Sequence, residues 1–288
     1  MEFRVLGEPD RAAVERFLKA QPSGMALRGY LAKDSLTPKY GHYAGVVDDG
    51  ELLGLVAYLG ATYHLVAPMS VEILVDLLGR YRGGPLTQIN GPTEQVVRTL
   101  EFLEATDART FINSRDELFV LQLSELVVPP QLSGGALKAR LATREDITFQ
   151  SSWRHDFWCE NLNAPPGPRL LENCTKLVEA EVAEQLLYIL EDGGRPVCTS
   201  AFGPALPDSV QVVNVFTPPA ERGRGYARAL TAATLLEARA RGVEEGILYT
   251  GLSNAIAQRT YRALGFVPVD QVTMLVFAEP RQNMRRPR

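Results

Sequence analysis

The chain has 288 residues, enough for two domains, and a composition (45% hydrophobic, 22% charged) that can bury a core without staples. Its net charge of −4 gives no global attraction for nucleic acid, and the one basic run, Arg281 to Arg288, reads as a solvated terminus. Cys159, Cys174 and Cys198 lack metal-ligand spacing and read as reduced thiols, as in a cytoplasmic protein with no metal. The start carries no secretory pattern. The longest apolar stretch, Leu52 to Leu59, is strand-length and broken by Gly54, so no membrane partner is expected.

Taken in order, the first half opens with Phe3 to Asp10, a short strand and an acidic turn that lead into the helical pattern Ala12 to Leu18. Ala44 to Val56 follows as two apolar runs around an Asp-Gly turn. The Pro/Gly/Ser cluster Val128 to Gly135 predicts a domain boundary, giving domains 1–130 and 136–280. Beyond it the same plan returns. Ala139 to Asp146 repeats the strand and acidic turn, and Leu187 to Cys198 repeats the hairpin. Two matches in one order at similar offsets point to two copies of one domain type.

In the second copy the pattern predicts a strand over Leu137 to Leu141, then helices through Leu162 and from about Asn173 to Gln185. The loop Asn163 to Pro168 separates those helices and reads as a plain connector, with a substrate-facing loop as the alternative. After the hairpin come a strand over Val210–Phe216, a long helix from about Gly225 to Arg241, a strand Gly246–Thr250, a helix Ala255–Leu264 and a strand Val272–Phe277. The fold class is α/β (α+β), a mixed sheet with helices on both faces.

The chemistry lies between the strand ending Val215-Phe216 and the long helix. There Thr217-Pro218-Pro219-Ala220-Glu221-Arg222-Gly223-Arg224-Gly225-Tyr226-Ala227 joins a β-branched strand to an alanine-rich helix. Such a loop aims unpaired N–H groups and the positive end of a helix dipole at one spot, which suits a pyrophosphate. Gly223 and Gly225 allow close backbone approach, and Arg222 and Arg224 add charge. A Walker loop would need Gly-Lys-Ser/Thr where Gly-Tyr-Ala stands, and a dinucleotide fingerprint a third glycine where Arg228 stands. What fits is Arg/Gln-x-x-Gly-x-Gly/Ala, through Arg222, Gly225 and Ala227. About 30 residues on, Asn254, Tyr261, Gly265 and Phe266 open, face and close a second helix. Asn254 and Tyr261, seven residues apart, lie on one face.

With these two motifs, covering about a quarter of the chain, the sequence resembles the GNAT superfamily of acyl-CoA-dependent N-acyltransferases. The resemblance implies two tandem GNAT-like domains, each a mixed, mostly antiparallel sheet flanked by helices, with acetyl-CoA as cosubstrate. It implies that Val215, Phe216 and Thr217 run beside the pantetheine, that Arg222, Gly223, Arg224, Gly225, Tyr226 and Ala227 hold the pyrophosphate, and that Asn254 belongs to the cofactor site. A neutral primary amine, on a small molecule or a peptide, would attack the thioester directly. Strand N–H groups near Phe216 would stabilise the oxyanion, and Tyr261 would protonate the leaving thiolate.

An alkyl ammonium, with a pKa near ~10.4, must lose a proton first. Many relatives carry a carboxylate on this strand where the present chain offers Asn214. Asp156, Glu160, Glu179, His155 or a water relay are the remaining candidates. In the first half, Leu86 to Val96 is read as the degenerate counterpart of the phosphate loop, with Pro92 and Thr93 spoiling it, so no CoA is expected there. A longer acyl donor and a non-catalytic acyl-CoA-binding module are the alternative functions. The acceptor and the oligomeric state, a homodimer included, stay open.

Overall fold

The computed structural model describes residues 1–281 except Tyr40, Ala67, Pro68, Arg82, Gly83 and Ser133. The basic tail beyond Arg281 lies outside the described residues. Contacts divide the chain into two units, Met1–Leu118 with the segment from Asp270, and Phe119–Val269.

Unit 1 runs β1 (Glu2–Leu6), α1 (Arg11–Lys19), α2 (Met25–Lys33), β2 (Gly41–Asp48), β3 (Glu51–Leu59), β4 (Thr62–Val66), α3 (Val71–Arg80), β5 (Leu86–Pro92), α4 (Thr93–Phe102) and the first part of β6 (Thr110–Gln122). The rest of the chain repeats that series: β7 (Leu137–Leu141), α5 (Ile147–Leu162), α6 (Pro168–Ala183), β8 (Leu187–Asp192), β9 (Arg195–Ala205), β10 (Ser209–Phe216), α7 (Tyr226–Ala240), β11 (Glu245–Gly251), α8 (Ala255–Arg262) and β12 (Val267–Arg281). The expected duplication is therefore present element by element.

The copies also share their local chemistry. In β1, Arg4 donates both guanidinium Nη atoms to Asp10 at 2.8 and 2.7 Å, and Asp10 accepts the Gly7 N–H. In β7, Arg140 donates likewise to Asp146 at 2.7 and 3.0 Å, and Asp146 accepts the Thr143 N–H. Each carboxylate ties a strand to the helix start that follows it. Both hairpins turn through two residues at positive φ, Asp49-Gly50 and Gly193-Gly194, whose twist suits a two-residue connection.

Sheet order in unit 1 is β1-β2-β3-β4-β5-β12, and in unit 2 it is β7-β8-β9-β10-β11-β6. Most neighbours are antiparallel; β4 with β5 and β10 with β11 are parallel. Each unit is thus completed by the last strand of the other copy. The expected domains, 1–130 and 136–280, differ from this at both ends. Phe119, Leu121, Leu123 and Leu126 are buried in the core of unit 2, and Leu275 and Phe277 in that of unit 1. The Val128 to Gly135 cluster lies inside unit 2, where its described residues include a short turn at Pro130–Leu132.

The order of elements also corrects the reading of Leu86 to Val96. Those residues form β5 and α4, which correspond to β11 and α8. The counterpart of the phosphate loop joins β4 to α3 and has only four residues, 67–70, with no glycine or arginine. Beside it, β4 and β5 stay paired as far as His64 with Asn90. Gly91 then lies so close to β4 that a Cβ there would sit 2.6 Å from the Leu65 Cβ.

The Arg140 ion pair and hydrogen bonds hold the Asp146 carboxyl below the usual carboxylate range. A depressed folded-state pKa stabilises above the unfolded value, near ~3.9, and that stabilisation is lost as pH falls through the folded value. Asp146→Asn should lower stability at pH 7 by roughly 1–3 kcal/mol and flatten the acid limb below about pH 4, as read from urea melts across pH.

Candidate active site

The site is built where β10 ends. From Ser209 opposite Glu245 to Val212 opposite Leu248, β10 and β11 form a parallel ladder, which ends there. On its other edge β10 pairs with β9, with register shifts between Val210 and Val212 and between Val213 and Phe216. Asn214 sits in the second irregularity at φ 54°, a left-handed conformation uncommon for a residue with a Cβ. Past the irregularity β10 is again paired with β9, Phe216 opposite Thr199, so Val215 and Phe216 run on beyond the end of the β11 ladder while staying on the β9 edge.

Nine residues, 217–225, connect β10 to α7. Gly223 and Gly225 have φ of 80° and 78°, so both positions favour glycine, and Gly225 is the N-cap. Glycine offers no capping side chain, so the first N–H groups of α7 stay open to a ligand. Helix α7 is anchored by Ala229, Leu230, Ala232, Leu235 and Ala238 in the core, which fixes the aim of its N-terminus. Gln131 Nε2 would lie 3.3 Å from a Cβ at 225, so the turn at Pro130–Leu132 borders the loop.

Arg222 and Arg224 belong to this loop, but their side chains hold carboxylates. Arg222 donates to Glu160 Oε2 at 2.6 Å and to the Thr217 carbonyl at 2.9 Å, while Arg224 pairs with Glu221 at 3.2 Å. These pairs are solvent-exposed on the arginine side, and such pairs contribute only about 0–1 kcal/mol. A pyrophosphate could displace them at small cost. The Tyr226 hydroxyl donates to Asp192, so its contribution to the loop is its backbone N–H. Ala227, partly buried, packs against the core and leaves the helix start narrow.

Asn254 caps α8, its Oδ1 accepting the Ala257 N–H at 3.1 Å. Tyr261 lies on the same helix, only 7% exposed, with its ring near those of Phe119 and Phe266. Burial first, and the neighbouring Cys198 thiol second, push its phenol above the usual tyrosine range. The Cys198 thiol is itself pushed up to about 12 by burial, and it accepts a 3.3 Å hydrogen bond from Thr217 Oγ1. Cys198 is thus bonded to the start of the loop and belongs to the same buried cluster as Tyr261.

On the opposite face, Trp153 and Phe157 of α5 stack their rings at 6.3 Å from Phe216. The base candidates do not gather there. Glu160 is taken by Arg222, Asp156 lies 3.2 Å from His155 Nδ1, and Glu179 is exposed. A different set does gather. Arg154, 5% exposed, donates to both oxygens of Glu181 at 3.0 and 2.6 Å. With the Asn214 amide oriented to suit its neighbours, its oxygen accepts from both Arg154 Nη atoms at 3.2 Å. The available signal was the inward face of α5, whose buried residues Gln150, Ser151 and Arg154 are all polar. Among the described residues no cluster of side chains could hold a metal ion.

Comparison with known proteins agrees with this geometry. Residues 150–266 match the acetyltransferase (GNAT) family. A GCN5-related N-acetyltransferase from Kribbella flavida superposes with a TM-score of 0.55 at 19% identity, covering 89% of this chain and 94% of that one. A tandem GNAT protein from the clavulanic acid biosynthesis pathway gives 0.51 at 12%, covering 99% of each. Residues 150–266 thus carry the match to the GNAT family, and the chain as a whole shares the fold of these two structures. In sequence, a mycothiol acetyltransferase of Thermobispora bispora is 45% identical over 56 residues, 19% of this chain and 19% of that protein. The match thus spans about a fifth of that relative's length.

Arg154→Met would leave Glu181 without its cation in a mostly buried position. The expected loss of stability is about 3–5 kcal/mol, measured by chemical denaturation at pH 7.

Proposed function

We propose that the chain is an acetyl-CoA-dependent N-acetyltransferase whose C-terminal unit transfers the acetyl group to a primary amine. The observation that carries this reading is the strand end Val215–Thr217, freed from β11, leading directly into a glycine-flanked helix start with Tyr261 close by. The GNAT family match over this unit and the acetyltransferase names of the relatives support it.

On this reading acetyl-CoA supplies an activated acetyl group as a thioester. The amides at the start of α7, with Arg222 and Arg224 released from their carboxylates, would hold the pyrophosphate. The exposed edge of Val215 to Thr217 would align the pantetheine arm, and its N–H groups would face the carbonyl oxygen where charge develops. The Tyr261 phenol keeps its proton throughout the neutral range because its pKa is raised, so it can donate to the departing sulfur. Trp153 and Phe157 wall the side from which the amine would approach. The β4–α3 connection is short and carries no glycine or arginine, so one molecule of CoA is expected per chain.

A retained Tyr261 and an open loop favour catalysis over binding alone. The mycothiol acetyltransferase relatives direct the first acceptor screen toward amines that also carry a thiol, with simple primary amines beside them.

Calorimetry should give one-to-one binding of acetyl-CoA to the wild type and none to the Arg222→Glu/Gly225→Asp double variant. No binding to the wild type would refute the acyltransferase reading. With an acceptor found, Tyr261→Phe should lower kcat by about 10²–10⁴-fold with little change in acetyl-CoA affinity. In the wild type no falling limb of kcat/KM assignable to this phenol should occur below pH ~10.

A further inference from the structure

The irregular end of β10 needs a cause. A non-glycine residue at positive φ is held there only when its surroundings over-determine it. Asn214 has φ 54° and no glycine neighbour on the strand, whose sequence is Ser209-Val-Gln-Val-Val-Asn-Val-Phe216. Three elements converge on it. Arg154 comes from α5, Glu181 from α6, and the Asn214 amide oxygen accepts both Arg154 Nη atoms at 3.2 Å. Glu181 fixes the guanidinium plane by a bidentate pair, the geometry that gives an arginine its most specific direction. Both the Arg154 and Glu181 side chains are largely withdrawn from solvent, at 4% and 16% exposure, so the clamp is little screened.

The place of the clamp matters more than its strength. The parallel ladder with β11 stops at Val212, two residues before Asn214, and the register with β9 shifts between Val213 and Phe216. The kink therefore falls where β10 runs on without β11, its pairing with β9 resuming at Phe216 opposite Thr199. In unit 1 no described residue of β4, Thr62–Val66, has a positive φ, and its ladder with β5 runs from Thr62 opposite Gln88 to His64 opposite Asn90.

We propose that Asn214 is a positioning residue, its amide gripped by the Arg154–Glu181 pair so that the kinked strand presents one peptide N–H of the Val215–Phe216 segment, on the edge away from β9, to the thioester carbonyl. This rests on the acetyl-CoA reading above and goes beyond it by assigning the strand's shape to a side-chain clamp. It also accounts for the absence of a carboxylate here. A neutral amide accepts from arginine at this position without placing a second negative charge beside Glu181.

The test uses the full chain, CoA, and acetyl-CoA labelled with carbon-13 at the carbonyl. Wild-type binding should move the labelled carbonyl band to lower wavenumber through its hydrogen bond to the strand. Asn214→Gly accepts φ 54° freely and retains the fold, but loses the clamp; its band shift should fall by about half or more and broaden, with CoA affinity within about twofold. Asn214→Ala should show the same loss of shift. An unaltered band in Asn214→Gly, with CoA still bound, would overturn the proposal alone. Failure of the wild type to bind CoA would remove the proposal together with the reading beneath it.

Discussion

Two parallel strands in the middle of a sheet gain by staying paired, since every peptide group between them is then satisfied. In unit 2 that pairing stops at Val212 opposite Leu248, while β10 continues for four more residues. The remaining features of the site depend on that interruption. It leaves an extended strand edge with unspent hydrogen-bonding capacity, and it points that edge at the start of α7.

The other copy shows the same sequence of elements with a shorter loop. Its β4–β5 ladder also ends before the strand does, at His64 opposite Asn90, but Gly91 presses against Leu65 and the connection to α3 has only four residues. The capping motif at the other end of the domain has not diverged, because Arg4 with Asp10 and Arg140 with Asp146 make the same bonds. A scaffold interaction persists in both units, whereas, among the described residues, the positive-φ kink at Asn214 and the glycine loop occur in one. On the proposed function, that difference separates a fold-keeping copy from a working one.

Much of this was legible from residues alone. The Asp-Gly hairpin, the acidic helix starts and the glycine loop each have a local cause, and local causes leave local signals. The helix before β8 begins at Pro168, earlier than the expected Asn173, because proline suits a first turn and was read instead as part of a loop. What escaped the sequence was non-local. Nothing in the alternation of Val272 to Phe277 says which strand it will pair with, so the completion of unit 1 by β12 could not be read. Leu86 to Val96 reads as a degenerate phosphate loop, yet the order of elements assigns those residues to β5 and α4. Asn214 and Arg154 lie sixty positions apart, and only the fold brings the amide to the guanidinium.

Hydrogen exchange on the full chain, with and without acetyl-CoA, tests the central claim most directly. The account predicts that the ligand slows exchange of the amides from Val215 to Thr217 and from Gly223 to Ala227, and leaves the described residues of β4, β5 and α3 unchanged. Protection in unit 1, or none at the β10 end and α7 start, would contradict it.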